Sequence, residues 1–89
     1  MTADSLRRSV STAPDLPGVY RFIDDLGKTL YIGKAKSLIN RLRGHVSNQG
    51  DLRHRVLLEK AITVHWTVTR TELEALILEA ELIRTHKPP

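Results

Sequence analysis

Eighty-nine residues can form one small domain, near the lower limit for a core that holds itself together. A hydrophobic share of 40% against 27% charged excludes a disordered chain, and the absence of cysteine excludes disulfides, zinc–thiolate centres and thiol catalysis. A net charge of +4 favours a polyanionic partner such as nucleic acid, and no apolar run is long enough to span a bilayer.

The opening MTADSLRRSVSTAPD has no apolar segment like that of a signal peptide. It reads as a polar N-terminal arm over residues 1–13, followed by one domain at 14–89. Lack of cysteine makes the cytoplasm the expected compartment. With one Trp, two Tyr and one Phe, the core must rest on Leu, Ile and Val.

Residues 18–32, GVYRFIDDLGKTLYI, predict a hairpin. Val19, Arg21 and Ile23 alternate with Tyr20, Phe22 and Asp24, and Asp24–Lys28 supplies turn chemistry before a strand at Thr29–Ile32. Residues 38–47 carry apolar side chains at 38, 39, 42 and 46, which is helical spacing, although Gly44 weakens it. After a loop over residues 47–51, Asp51 can cap a second helix at Leu52–Lys60. Residues 62–68, ITVHWTV, alternate strictly and predict a half-buried strand, with Ile62, Val64, Trp66 and Val68 on the apolar face. Thr71 and Glu74 form a capping box that opens a helix running to about Thr85. The expected fold is α+β, in the order β-β-α-α-β-α: a small, mainly antiparallel three-stranded sheet flanked by helices. Lys87-Pro88-Pro89 reads as a boundary within a longer protein.

Chemistry concentrates after the second strand, in YIGKAKSLINRLRGH. Gly33 is expected to turn the backbone there and admit a ligand closely. Lys34 and Lys36 follow, and Arg41 and His45, four apart, project from one helix face. Such donors suit phosphate. Glu79 complements them. All its neighbours at three and four residues, Ala75, Leu76, Leu82 and Ile83, are apolar, which is a costly place for a carboxylate without a partner. One carboxylate can hold Mg²⁺ or Mn²⁺ when water and phosphate oxygens fill the other positions. Carboxylate, Arg, Lys and Tyr together suit cleavage of a phosphodiester.

Gly18-Val19-Tyr20, ten residues, Tyr31-Ile32-Gly33, then Lys34-Ala35-Lys36 and Asn40-Arg41-Leu42-Arg43, resemble the GIY-YIG nuclease family. The likeness is strongest to the N-terminal nuclease domains of excision-nuclease C subunits, to which Thr71–Ala80 and Leu82-Ile83 are also similar, and it covers residues 14–88. The resemblance implies that Tyr20 and Tyr31 are the motif tyrosines, Gly33 the motif glycine, Arg41 the phosphate-binding arginine and Glu79 the sole protein ligand of a divalent metal. It places Lys34 in the catalytic cluster and His45 where the family carries Tyr or His. Gly33, Lys34, Lys36, Arg41 and Arg43 are the expected DNA contacts. The subgroup also uses an Asn at a position beyond Pro89.

The implied function is a metal-dependent DNA endonuclease of nucleotide excision repair that cuts one strand 3′ of a lesion. It works with a helicase-like excision-repair subunit through regions outside these residues, and the domain itself is expected to be a monomer. Tyr20, Tyr31 and Lys34 all stand as general base, Tyr31 foremost if a neighbouring cation, with Lys34 the nearest, lowers its pKa from about 10. Two other functions fit the same residues. One is a different GIY-YIG nuclease, stand-alone or of homing or restriction type; the other is a DNA-binding module without catalysis. Outside the motifs, Arg53, His54 and Arg55 suit DNA contact or solubility equally, His65 reads as structural, and Trp66 as core.

Overall fold

The computed structural model describes residues 2–47 and 52–88, with elements α1 (Thr2–Ser11), β1 (Gly18–Ile23), β2 (Thr29–Ala35), α2 (Leu38–Ser47), α3 (Leu52–Lys60), β3 (Thr63–Val68) and α4 (Glu72–His86). The expected α+β order holds, with one helix added at its start. The strands form an antiparallel sheet in the order β2-β1-β3, so β1 is central and β2 and β3 are its edges.

The added helix corrects the reading of residues 1–13 as a polar arm. Leu6 and Val10 are four apart, project from one face of α1 and are 2% and 3% exposed in the main core. Two apolar side chains among eight others are a thin stripe, which is why the segment looks polar in one dimension. Ser9 fixes the helix against β3. Its Oγ accepts from Val64 N at 3.2 Å and lies 3.2 Å from Val64 O and 3.0 Å from Thr63 Oγ1, so α1 satisfies backbone groups of an edge strand that would otherwise be open to pairing.

The hairpin turn follows its sequence. Asp24 Oδ1 accepts from both Leu26 N and Lys28 N at 2.9 Å, and Asp24 N donates to Lys28 O at 3.0 Å. The ladder pairs Tyr20 with Gly33 and Phe22 with Tyr31, then shifts register between Phe22 and Ile23. Strand β2 continues three residues past its expected end, so Gly33 lies within a strand and not in a turn.

Helices cover both sheet faces. On one, Tyr20, Phe22 and Val64 pack with Leu6 and Val10 of α1 and with Leu38 and Leu42 of α2, and Trp66, Leu57 and Leu58 pack against them. On the other, Val19 and Ile32 pack on Ala75 of α4, with Leu78 and Leu82 beside them. Trp66 is therefore core, as expected, while Val68 at the end of β3 is 46% exposed. Thr71 caps α4 by accepting from Glu74 N at 3.1 Å, and Glu74 Oε1 accepts from Arg70 N at 3.0 Å, one residue earlier than the usual capping-box partner. The helix ends at Lys87 in the left-handed region (φ 45°), whose N–H donates to Ile83 O at 2.9 Å. Asp51 lies outside the described residues, as do the side chains of Arg53 and His54.

Candidate active site

Strand pairing sets the first part of the site. Tyr20 and Gly33 are directly opposite and share a face, as do Phe22 and Tyr31. Tyr20 lies flat across the space a side chain at Gly33 would fill: a Cβ there would overlap the Tyr20 hydroxyl and come within 2.6 Å of its Cζ. The motif glycine is required by the close approach of that phenol, a different reason from the turn expected. Gly18 has a similar constraint, since a Cβ on it would overlap Thr67 O and come within 2.9 Å of Leu38 Cδ1.

The Tyr20 hydroxyl is 2.6 Å from His45 Nε2 on α2. The rings of Tyr20, Phe22, Tyr31 and His45 form one cluster, each pair of centroids 5.3 to 6.2 Å apart. Phe22, 0% exposed, touches all three polar rings. Sequence reasoning passed over it, although its place two residues after Tyr20 in an alternating strand puts it on the same face. Tyr31 is 39% exposed and presents the open side of the cluster.

Burial is the main cause that pushes the Tyr20 phenol well above its ordinary value near 10. Tyr31 raises it further, Arg41 opposes this, and Glu79 and the hydrogen-bonding side chain of Tyr31 raise it again. Tyr20 is therefore a neutral phenol, its hydroxyl in a hydrogen bond with His45 Nε2. Tyr31 and His45 are in direct ring contact with Tyr20, and the charges of Arg41 on α2 and Glu79 on α4 bear on its hydroxyl. The cluster stands at the β2 edge between a helix on each sheet face.

Glu79 is half-buried, with Ala75 buried and Leu76 and Ile83 47% and 44% exposed, so its apolar surroundings are only partly closed. No hydrogen bond or ion pair joins its carboxylate to another residue whose side chain the structure describes. Among the described residues no group of three His, Asp or Glu side chains converges as a metal cage. A lone carboxylate beside phosphate-binding cations fits Mg²⁺ or Mn²⁺ completed by water and substrate oxygens, and does not fit a structural zinc or calcium centre.

The lysines divide differently from expectation. Lys34 is paired with Val19, on the face that α4 covers, so it lies across the strand from Tyr31 and on the side from which Glu79 enters. Lys36 is 3.8 Å from Glu72 in a solvent-exposed ion pair and is not aimed at the cluster. Arg43 is exposed, two residues from Arg41 and so on the opposite flank of α2. His65 is exposed on β3 and takes no part.

This architecture and cluster define a small α+β domain with a phosphate-handling site at a sheet edge. Residues 16–89 match the UvrC-like GIY-YIG domain, and the chain belongs to that family. It is 40% identical over 87 residues to UvrABC system protein C of Treponema denticola, covering 98% of this chain and 13% of that protein. It is 47% identical over 74 residues to its namesake in Hahella chejuensis, covering 82% of this chain and 12% of that protein. The chain thus spans about one-eighth of the length of these relatives. The GIY-YIG N-terminal endonuclease domain of UvrC from Thermotoga maritima, bound to magnesium as its catalytic divalent cation, superposes with a TM-score of 0.86 at 40% identity, over 99% of this chain and 96% of that one. A tyrosine-to-phenylalanine mutant of the same domain, also bound to its catalytic divalent cation, matches equally at 39% identity, over 99% of this chain and 96% of that one.

Proposed function

We propose that the domain hydrolyses one phosphodiester of DNA with Mg²⁺ or Mn²⁺, as the unit of an excision-repair nuclease that cuts 3′ of a lesion. Lesion targeting and a helicase-like excision-repair partner would act through regions outside these residues, and the site is expected to work in the cytoplasm. The observation that carries this reading is the packing of Tyr20, Tyr31 and His45 into one cluster, with the Tyr20 hydroxyl 2.6 Å from His45 Nε2 and the charges of Arg41 and Glu79 bearing on it.

Glu79 would hold the cation. When bound, the cation supplies Lewis-acid polarisation of the phosphate. Arg41, exposed on α2, receives the non-bridging oxygens and offsets the charge that grows on them. Tyr31 is the phenol that water and substrate reach. As it takes the proton of the attacking water, its own proton passes to the Tyr20 oxygen, and that of Tyr20 to His45 Nε2. The phosphorus–oxygen bond to the leaving sugar then breaks, and the sugar oxygen takes a proton from solvent. Tyr20 relays in this scheme and cannot act as a standing phenolate, because burial keeps it protonated.

Nicking of supercoiled plasmid tests the reading. Wild type should relax the plasmid with Mg²⁺ or Mn²⁺ and stop in EDTA, and Glu79→Gln and Arg41→Ala should each slow it by about 10²-fold or more. Persistent nicking by Glu79→Gln, or by wild type in EDTA, contradicts it.

A further inference from the structure

Apart from Arg41 and His45, the cations of the α1–α3 layer have no role in the site just described. Arg7 and Arg8 on α1, Arg43 on α2 and Arg55 on α3 are all exposed, and no carboxylate whose side chain the structure describes pairs with them. Helix α4, on the other side of the sheet, carries Glu72, Glu74, Glu79 and Glu81 with Arg84, whereas α1, α2 and α3 carry Arg7, Arg8, Arg41, Arg43, Arg53, Arg55 and Lys60 against Asp4 and Glu59. The excess of positive charge is therefore on the α1–α3 side.

Helical geometry gives the positions of these arginines a direction. Ser9 faces the β3 edge, where it bonds Val64 and Thr63. Arg7, two residues back and about 200° round the helix, is on the flank opposite Ser9. On α2, Arg41 is on the flank that serves the β2 edge, and Arg43 is about 200° from it. Helix α1 packs beside α2 and against β3, at the far edge of the sheet from β2. Arg7 and Arg43 are therefore placed on the flanks by which α1 and α2 meet, and Arg8 on the outer side of α1.

We propose that the basic surface where α1 and α2 meet is a track for the phosphate backbone of duplex DNA on one side of the scissile phosphate, with Arg43, Arg7 and Arg8 as successive contacts leading away from Arg41. Like charges gathered on facing flanks repel one another in the free protein, and an anionic strand laid between them removes that repulsion. The track rests on the nucleic-acid reading above, and it gives the first helix, which carries no motif, a part in substrate binding. Its chemistry is sequence-independent and salt-sensitive, since it reads phosphates and no base edges.

The test is the salt dependence of duplex binding in EDTA, where no strand is cut. Three variants of this chain are compared with wild type: Arg7→Gln with Arg8→Gln, Arg43→Gln, and a control at the end of α4, Arg84→Gln with Lys87→Gln. Each phosphate contact contributes about −0.9 to the slope of log K against log salt. The paired α1 variant should make the slope shallower by about 1.8, and Arg43→Gln by about 0.9, with thermal midpoints unchanged because all three side chains are exposed. The α4 control should leave the slope at its wild-type value. An unchanged slope in the α1 variant, or an equal change in the α4 control, overturns the track. Nicking by wild type is scored separately, so loss of the track and loss of the nuclease reading are distinguishable.

Discussion

The two faces of the sheet are built to different standards. On the α1–α2 face, Phe22, Leu38 and Leu42 are 0% exposed and Tyr20 is 2% exposed. On the α4 face the sheet buries Val19 and Ile32, 1% and 6% exposed, but the helix itself buries only Ala75, while Leu78 and Leu82 are partly covered and Leu73 and Ile77 are 66% and 55% exposed. Helix α4 rests along the sheet through Ala75, Leu78 and Leu82, and near its end Arg21 Nη1 lies 3.2 Å from His86 Nε2 and 2.9 Å from Thr29 Oγ1. The largest fully buried side chains thus lie mostly on one face, and the proposed metal ligand rides on the other, whose helix is more exposed.

Equal truncations on the two faces should break the domain unequally. Leu42→Ala should cost about 2–5 kcal/mol and, in so small a domain, unfold most of the protein. Leu78→Ala should cost about 1 kcal/mol, because the site is already partly open. Chemical denaturation of both variants measures the difference, and equal losses would remove the distinction. Gly33→Ala sharpens it in another way. Its methyl group must displace the Tyr20 phenol, at a cost of about 1–3 kcal/mol, and the bond to His45 goes with it; nicking should fall far more than the stability loss explains. Thr71→Ala should cost about 1 kcal/mol by leaving the first turn of α4 uncapped. Its effect should fall on cation affinity more than on the near-ultraviolet signal of the ring cluster.

The smallest effect concerns pH. Tyr20 ionises at a higher pH in the folded domain than in the unfolded chain, so the folded state holds a proton that the unfolded state releases above about pH 10. The resulting stability is fully present below pH 10 and is lost as pH rises beyond it. Absorbance titration at 295 nm should show one tyrosine ionising only when the protein unfolds. If both ionised together in the folded protein, the buried phenol would not be there.

Local chemistry was legible in the sequence wherever neighbours in the chain settle the outcome. Asp24 and its turn, Thr71 and its cap, and the alternation around Trp66 each appear in the structure as their residues predict. Tertiary context decided the rest. Leu6 and Val10 form a helix face only because α2 and β3 offer a surface for it. Strand β2 runs on through Gly33 to Ala35 because β1 continues to pair with it, and nothing local to Gly-Lys-Ala requires a strand. Phe22 joins the site through cross-strand pairing with Tyr31, a contact visible only once the register is known. The family resemblance named Tyr20, Tyr31, Arg41, His45 and Glu79, whereas the direction of Lys34, the pairing of Lys36 with Glu72 and the bond between Tyr20 and His45 came from the fold.

The central claim, that Glu79 is a half-buried carboxylate waiting for a cation, is tested most directly by thermal melting of wild type and Glu79→Gln with and without Mn²⁺. In EDTA the variant should melt no lower than wild type, since it loses no ion-pair partner, and Mn²⁺ should raise the midpoint of wild type alone. A variant that melts lower in EDTA, with both proteins indifferent to Mn²⁺, would make Glu79 a structural residue and contradict the account.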